Sequence, residues 1–297
     1  MHVSAECASC TLEFLTKLIR RSVSDEEKQI ELIKTMTIEL GRVFDLRQNP
    51  SLMTNYLLGL LYPKLNIDDP FKELKQESNR IAEKISKVIE DEIFKISDIN
   101  EWLIRGISAA IAGNVIDYGN PRHKVNLDGL HNVYLGILQE GFFIDHTSQF
   151  LKSLNAANDI LYLGDNAGEV HFDRILVRIL KELKKKIYFV VKGGPISNDA
   201  TIDDARDAQI DKYATVITTG KALLGIDFDN ISDELRDLFD SVDLIISKGQ
   251  ANFETLNYFK DRIKKPVVFL LRAKCDPISR HLNVPKGSNL VIFYEPA

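Results

Sequence analysis

The chain has 297 residues, 44% of them hydrophobic, and a net charge of −5 at pH 7. That length supports one large domain or two smaller ones with real cores, and the mild acidity argues against a nucleic-acid surface, which is usually basic. No apolar run approaches the ~18 residues of a membrane span. No basic stretch followed by an apolar one opens the chain as a secretory signal would, and 3 cysteines do not suggest a disulfide framework. A cytoplasmic protein without membrane or nucleic-acid partners is expected.

In chain order, the first half reads helical almost throughout. Leu12, Leu15, Leu18 and Ile19 share one face of an opening helix. Ser24 and Glu27 form a capping box ahead of Ile30, Leu32, Ile33 and Met36. Pro50 begins a third helix through Leu57, Leu60 and Leu61. Asp69 and Pro70 read as an N-cap and a first-turn proline, opening a long helix to about residue 96. Ser97 and Asp98 start another helix, which ends at Ala112 and Gly113. A polar loop over 114–124 follows, then a further helix or two to about residue 154.

Near residue 155 the period changes. Apolar, strand-like runs at 160–164, 187–191, 215–218, 244–247, 267–271 and 290–294 alternate with helical patterns at 170–183, 200–209, 232–239, 251–259 and 278–282. Such alternation predicts a parallel sheet covered on both faces. The expected architecture is α/β: an all-helical N-terminal domain over 1–155, and over 156–297 a three-layer α/β/α domain with a mostly parallel, Rossmann-like sheet.

In a parallel sheet the carboxyl ends of all strands share one edge, where open α/β folds bind ligands. Gly164, Asp165 and Asn166 follow the first strand, and Gly168 and Glu169 open the next helix. Lys192, two glycines, Ser197, Asn198 and Asp199 follow the second strand; Lys248, Gly249, Gln250 and Asn252 follow the fourth; Arg272, Lys274, Cys275 and Asp276 follow the fifth. Carboxylate and amide oxygens suit Mg²⁺ or Mn²⁺, and lysines and helix N-termini suit phosphate. Together they describe a metal-assisted phosphoryl-transfer site. Taken singly, each has a plainer use: Asp165 as a helix N-cap, Lys192 and Lys248 as solvated loop charges, Asn252 as a helix cap.

The segment Leu163 to Glu169, together with Lys248 to Glu254, resembles the damage-control phosphatase family, first catalogued as domain of unknown function eighty-nine and including the ARMT-like proteins. Cys7 and Cys10, the stretch around Asp69, Lys75 and Asn79, and the stretch from Ala112 to Asp117 resemble its compact, Cys-containing subfamily. The resemblance implies a phosphatase acting on small phosphorylated metabolites, such as sugar phosphates or damaged phospho-metabolites, with one divalent cation (Mn²⁺, Mg²⁺, Co²⁺ or Ni²⁺). It implies metal ligation by Asp165, Asn166 and a later Asp, matched by Asp199, with Asp203 and Asp204 nearby as competitors. It also implies a phosphate-contacting Lys, matched by Lys274. An Arg that better-known members carry three residues earlier is here Leu271, and Arg272 follows it.

On this reading Asp165, Asn166 and Lys274 are catalytic. Lys248 and Asn252 contact substrate, and Asn114 and Asp117, in a polar loop after an apolar helix, close one side of the pocket. The acid two residues after Asp165 that a phospho-aspartate route uses as proton donor is missing, because Ala167 stands there. One metal that polarises the phosphoryl oxygen and activates a water is therefore favoured over a covalent intermediate. The competing readings are an S-adenosylmethionine-dependent methyltransferase, from the Gly164–Gly168 turn, and a non-catalytic binding protein on the same fold. Cys7 and Cys10 fit two thiols one helical turn apart, half of a zinc site with His2 as a third ligand, or a redox pair.

Overall fold

The computed structural model describes residues 1–115 and 129–296. The helical half contains α1 (Ala5–Ser22), α2 (Glu26–Val43), α3 (Pro50–Leu61), α4 (Lys72–Ile93), α5 (Ile99–Gly113) and α6 (Leu130–Glu140). After a short strand β1 (Ile144–Asp145) and α7 (Thr147–Ala156), strands and helices alternate: β2 (Asp159–Leu163), α8 (Glu169–Glu182), β3 (Lys186–Val191), α9 (Ile202–Asp207), β4 (Thr215–Thr218), α10 (Asp233–Ser241), β5 (Leu244–Lys248), α11 (Gln250–Tyr258), β6 (Val267–Arg272), α12 (Asp276–Leu282) and β7 (Asn289–Tyr294).

Helix starts follow their caps, with shifts. Asn49 accepts from Ser51 N and Leu52 N, with Pro50 in the first turn of α3, and Asp98 accepts from Asn100 N at α5. For α2 the cap is Asp25, which accepts from Lys28 N at 2.8 Å, in place of the expected Ser24. Helix α4 begins at Lys72, later than expected. Asp69 Oδ1 accepts from Phe71 N at 2.9 Å and Oδ2 pairs with Lys75 Nζ at 2.6 Å, so the acid holds the turn ahead of the helix.

The seven strands form one sheet in the order β1-β7-β6-β5-β2-β3-β4. The strands from β6 across to β4 are parallel to one another. Strand β7 is antiparallel to β6 and parallel to β1, so this edge runs against the rest. Alternation along the strands covers both faces. Ile160, Tyr162, Phe189 and Leu270 join α4–α8 in one core, while Leu161, Leu163, Ile245 and Leu271 join α10–α12 in another. Helices α1–α3 form a third cluster with Phe71 and the loop residue Ile196. The sheet therefore has two helical layers, and α1–α3 stand beside the carboxyl edge.

Candidate metal and substrate site

The chain runs from β2 outward to β3 and β4, then crosses back to β5 on the other side of β2. The crevice between the carboxyl ends of β2 and β5 is the topological switch point, where such sheets bind ligands. Asp165 leaves β2 here and Gly249 leaves β5. Gly249 has φ +76°, and a Cβ at that position would overlap the Asp165 carboxylate. Glycine is the residue that permits both the backbone turn and the carboxylate.

Backbone bonds then draw the β3 loop onto the β2 loop. Ala200 N donates to Asp165 O at 2.8 Å, Ala167 N to Asn198 O at 2.9 Å, and Asn166 and Asp199 form an isolated β-bridge. Asp165, Asn166 and Asp199, all buried, thus line one cleft of about 210 Å³. Its opposite wall comes from α1 and the start of α3, including Cys7, Cys10, Phe14 and Ser51.

Below the cleft, a polar network fixes these side chains. Asn166 Nδ2 donates to Asp165 Oδ2 at 2.8 Å and to Glu169 Oε2 at 3.1 Å. Both amide hydrogens are used, which leaves the Asn166 amide oxygen as the end available to a ligand. Asn114, at the end of α5, donates to Asp165 Oδ2 at 3.2 Å and to Glu169, and accepts from Arg272 N at 3.2 Å. It is fully buried, so it braces the Asp165 carboxylate and has no surface left for substrate.

Lys248 also lies beneath the site. Its ammonium donates to Glu169, to Asp173 Oδ1 at 2.7 Å and to Ala110 O at 2.8 Å, and it is fully buried. All three donors are used inside the fold, and the expected substrate contact is replaced by charge balance. Burial alone would lower the Lys248 pKa, but the Asp173 and Glu169 carboxylates together raise it above the ordinary lysine value. Burial pushes the Asp173 carboxyl up to about 6 against the pull of Lys248. Tyr162, whose pKa burial raises further, keeps its proton and donates to Asp173 Oδ1 at 2.7 Å.

Asn252 is internal as well. Its Nδ2 donates to Gly164 O at 3.0 Å and Lys248 O at 2.8 Å, which ties β2 to β5. Both its donors are spent and it is fully buried, so it too is a positioning residue in place of the expected substrate contact. Lys274 is 6% exposed and lines the cleft; its backbone N–H donates to Gln250 Oε1 at 2.6 Å. Arg272 turns its guanidinium to Asn289 at 3.1 Å. Asp203 projects into solvent, and Asp204 caps α9 through Thr201 while accepting from Asn79, so neither competes with Asp199. Asp117 lies outside the described residues.

Lys192, read singly as a solvated charge, is 3% exposed. Its Nζ lies 3.5 Å from Asp199 Oδ2, 2.9 Å from Gly225 O and 3.4 Å from Asn252 Oδ1. Its own strand end carried no signal of that burial, as for Lys248 on β5. Glu254 also lines the cleft. It accepts from Ser51 Oγ at 2.7 Å, and burial pushes its carboxyl up to about 7. Cys275 lines the cleft with Cys7 and Cys10, and burial pushes its thiol up to about 12. Among the described residues no three His, Cys, Asp or Glu side chains gather as a metal centre. Asp165, Asn166 and Asp199 combine two carboxylates with an amide oxygen, the donor type that hard cations take.

The chain matches the model of the Damage-control phosphatase ARMT1-like domain over residues 3–290. It is 37% identical over 294 residues to an uncharacterized protein of Methanocaldococcus jannaschii, covering 98% of this chain and 95% of that one. It is 34% identical to a damage-control phosphatase of Archaeoglobus fulgidus, covering 97% of each chain. A crystal structure of a DUF89 family protein from Pyrococcus horikoshii superposes with a TM-score of 0.87 at 31% identity, covering 98% of this chain and 99% of that one. The switch-point site thus sits on a fold shared end to end with these relatives, and the chain belongs to the damage-control phosphatase ARMT1-like family.

Proposed function

We propose that this protein is a phosphatase that uses a divalent cation to release phosphate from small phosphorylated metabolites. The observation that carries the reading is the bridge between Asn166 and Asp199, which brings two carboxylates and an amide oxygen to one cleft at the switch point. The family, and the relatives named damage-control phosphatases, support the same reaction class. Asp165, Asn166 and Asp199 hold the cation, and their all-oxygen donor set fits Mg²⁺ or Mn²⁺. When bound, the cation supplies Lewis acidity to the phosphoryl group and to a water.

The chain's own residues do the rest. Glu169 and Asn114 hold the Asp165 and Asn166 side chains in orientation from below. Lys192 balances charge at Asp199, and Lys274 meets the charge of the phosphoryl group. A cleft of about 210 Å³ closed on one side by α1 suits a small metabolite. No helix among the described residues is long and apolar enough to cross a membrane.

The test is phosphate release from a panel of sugar phosphates and phosphorylated cofactor precursors, with and without added cation. Release that needs the cation and disappears in Asp165→Ala, with the fold retained, is the expected result. Full activity in that variant, or a phosphorylated Asp165 trapped by rapid quench, overturns the reading.

A further inference from the structure

The turn that delivers Asp199 is held in an unusual backbone state. Ser197 has φ +48°, a left-handed conformation that non-glycine residues seldom adopt. Its N–H donates to Tyr62 Oη at 3.0 Å, Asp199 N donates to Ile196 O at 3.1 Å, and Ala167 N donates to Asn198 O at 2.9 Å. Strained backbone of this kind persists only where its surroundings hold it, and it clusters at ligand sites.

The residue raised by the turn is Asn198. It is 2% exposed and lines the cleft beside Asp165 and Asp199. Its Oδ1 accepts from Ser197 Oγ at 3.2 Å, which sets the amide's orientation. Its Nδ2 has no hydrogen-bond partner among the described residues. A buried donor left without an acceptor costs free energy, and such groups in folded proteins call for an explanation. An N–H₂ group cannot ligate a cation, so its partner must be an acceptor oxygen. Here an acceptor arriving through the cleft meets a site flanked by Asp199 and Lys192 and lined by Lys274.

We propose that Asn198 binds the substrate's phosphoryl group, its Nδ2 donating to a non-bridging oxygen of the phosphate. This deepens the phosphatase reading and rests on it. The side chain places the phosphoryl group between the cation-holding oxygens and Lys274, and it discriminates against ligands that lack an anionic oxygen at that point.

The probe is inorganic phosphate, titrated into the cation-loaded protein. Asn198→Asp keeps the acceptor for Ser197 but replaces the donor with a negative charge, whereas Asn198→Ala loses donor and acceptor without adding charge. Phosphate affinity should fall about ten- to a hundredfold in Asn198→Ala, the range for one hydrogen bond to a charged group, and at least as far in Asn198→Asp, where the new carboxylate also repels phosphate. Cation affinity should not weaken in either. In the wild type, the Asn198 side-chain amide resonance should shift on adding phosphate, a readout that does not depend on a variant folding. Wild-type phosphate affinity in either variant, or an unmoved amide resonance, overturns the proposal. Failure of the wild type to release phosphate from any ester would instead count against the phosphatase reading, and the phosphate titration separates the two.

Discussion

At the scale of single residues, the site depends on space and charge beneath Asp165. Gly249→Ala adds a Cβ where the Asp165 carboxylate lies, at φ +76°. It should weaken cation binding at least tenfold and cost about 1–3 kcal/mol of stability, measured by cation titration and denaturant unfolding. Lys248→Met should cost about 3–5 kcal/mol, because Glu169 and Asp173 would remain buried without their cation. Adding Glu169→Gln and Asp173→Asn to that variant should restore part of the loss, as denaturant unfolding would show. The role of Lys248 was not legible in its own strand end, since a lysine after an apolar run reads alike whether it points out or in. The pattern that carried the information lay elsewhere. Glu169 and Asp173 stand four apart on α8 among Val170, Phe172 and Leu176, so two acids share a face with core residues. Such a face asks for a buried cation. The place of Asp165 and Asn166 at the sheet edge was legible because they follow a strand whose apolar run is unambiguous, whereas Asp199, eight residues beyond β3, was singled out by the family resemblance.

At the scale of elements, helices α5 and α8 set the height of Asn114 below the site. Two glycines on α5 approach α8. A Cβ at Gly113 would meet Phe172 Cβ at 2.9 Å and Glu169 Cγ at 3.2 Å, whereas at Gly106 its nearest neighbour is the tip of Ile179 at 2.7 Å. The tip of an isoleucine can turn aside, but a Cβ fixed to its own helix cannot. Gly113→Ala should therefore push α5 from α8, cost about 1–3 kcal/mol and lower phosphate release through Asn114. Gly106→Ala should have a much smaller effect on both, and paired unfolding and activity measurements distinguish them. The six strands expected from apolar runs all form, within a residue or so of their expected ends. Strand β1 was not legible, because two residues carry no period. The reversed direction of β7 was equally hidden, since strand orientation follows from the path of the connection and leaves no mark on the strand's composition.

At the scale of the whole molecule, the cleft lies between the sheet edge and α1–α3, and a buried acid stands at that contact. Glu254 pairs with Ser51 of α3, and burial lifts its carboxyl from 4.5 to about 7. Its folded-state pKa lies above the unfolded value. Its contribution to stability is therefore complete below about pH 4.5 and is lost as pH rises to about 7. Relative to Glu254→Gln, the wild type should lose about 1–3 kcal/mol between pH 5 and 8, read from denaturant unfolding at each pH; a flat difference would remove Glu254 from this role. The contact between α1–α3 and the carboxyl edge was not legible in the sequence, because helical periodicity shows which face is apolar but not which surface it meets. The most direct measurement of the central claim is the stoichiometry of Mn²⁺ binding to the wild type and to Asp165→Ala, with folding of the variant verified. One ion per chain in the wild type and none in the variant is the expected result; undiminished binding by Asp165→Ala would contradict it.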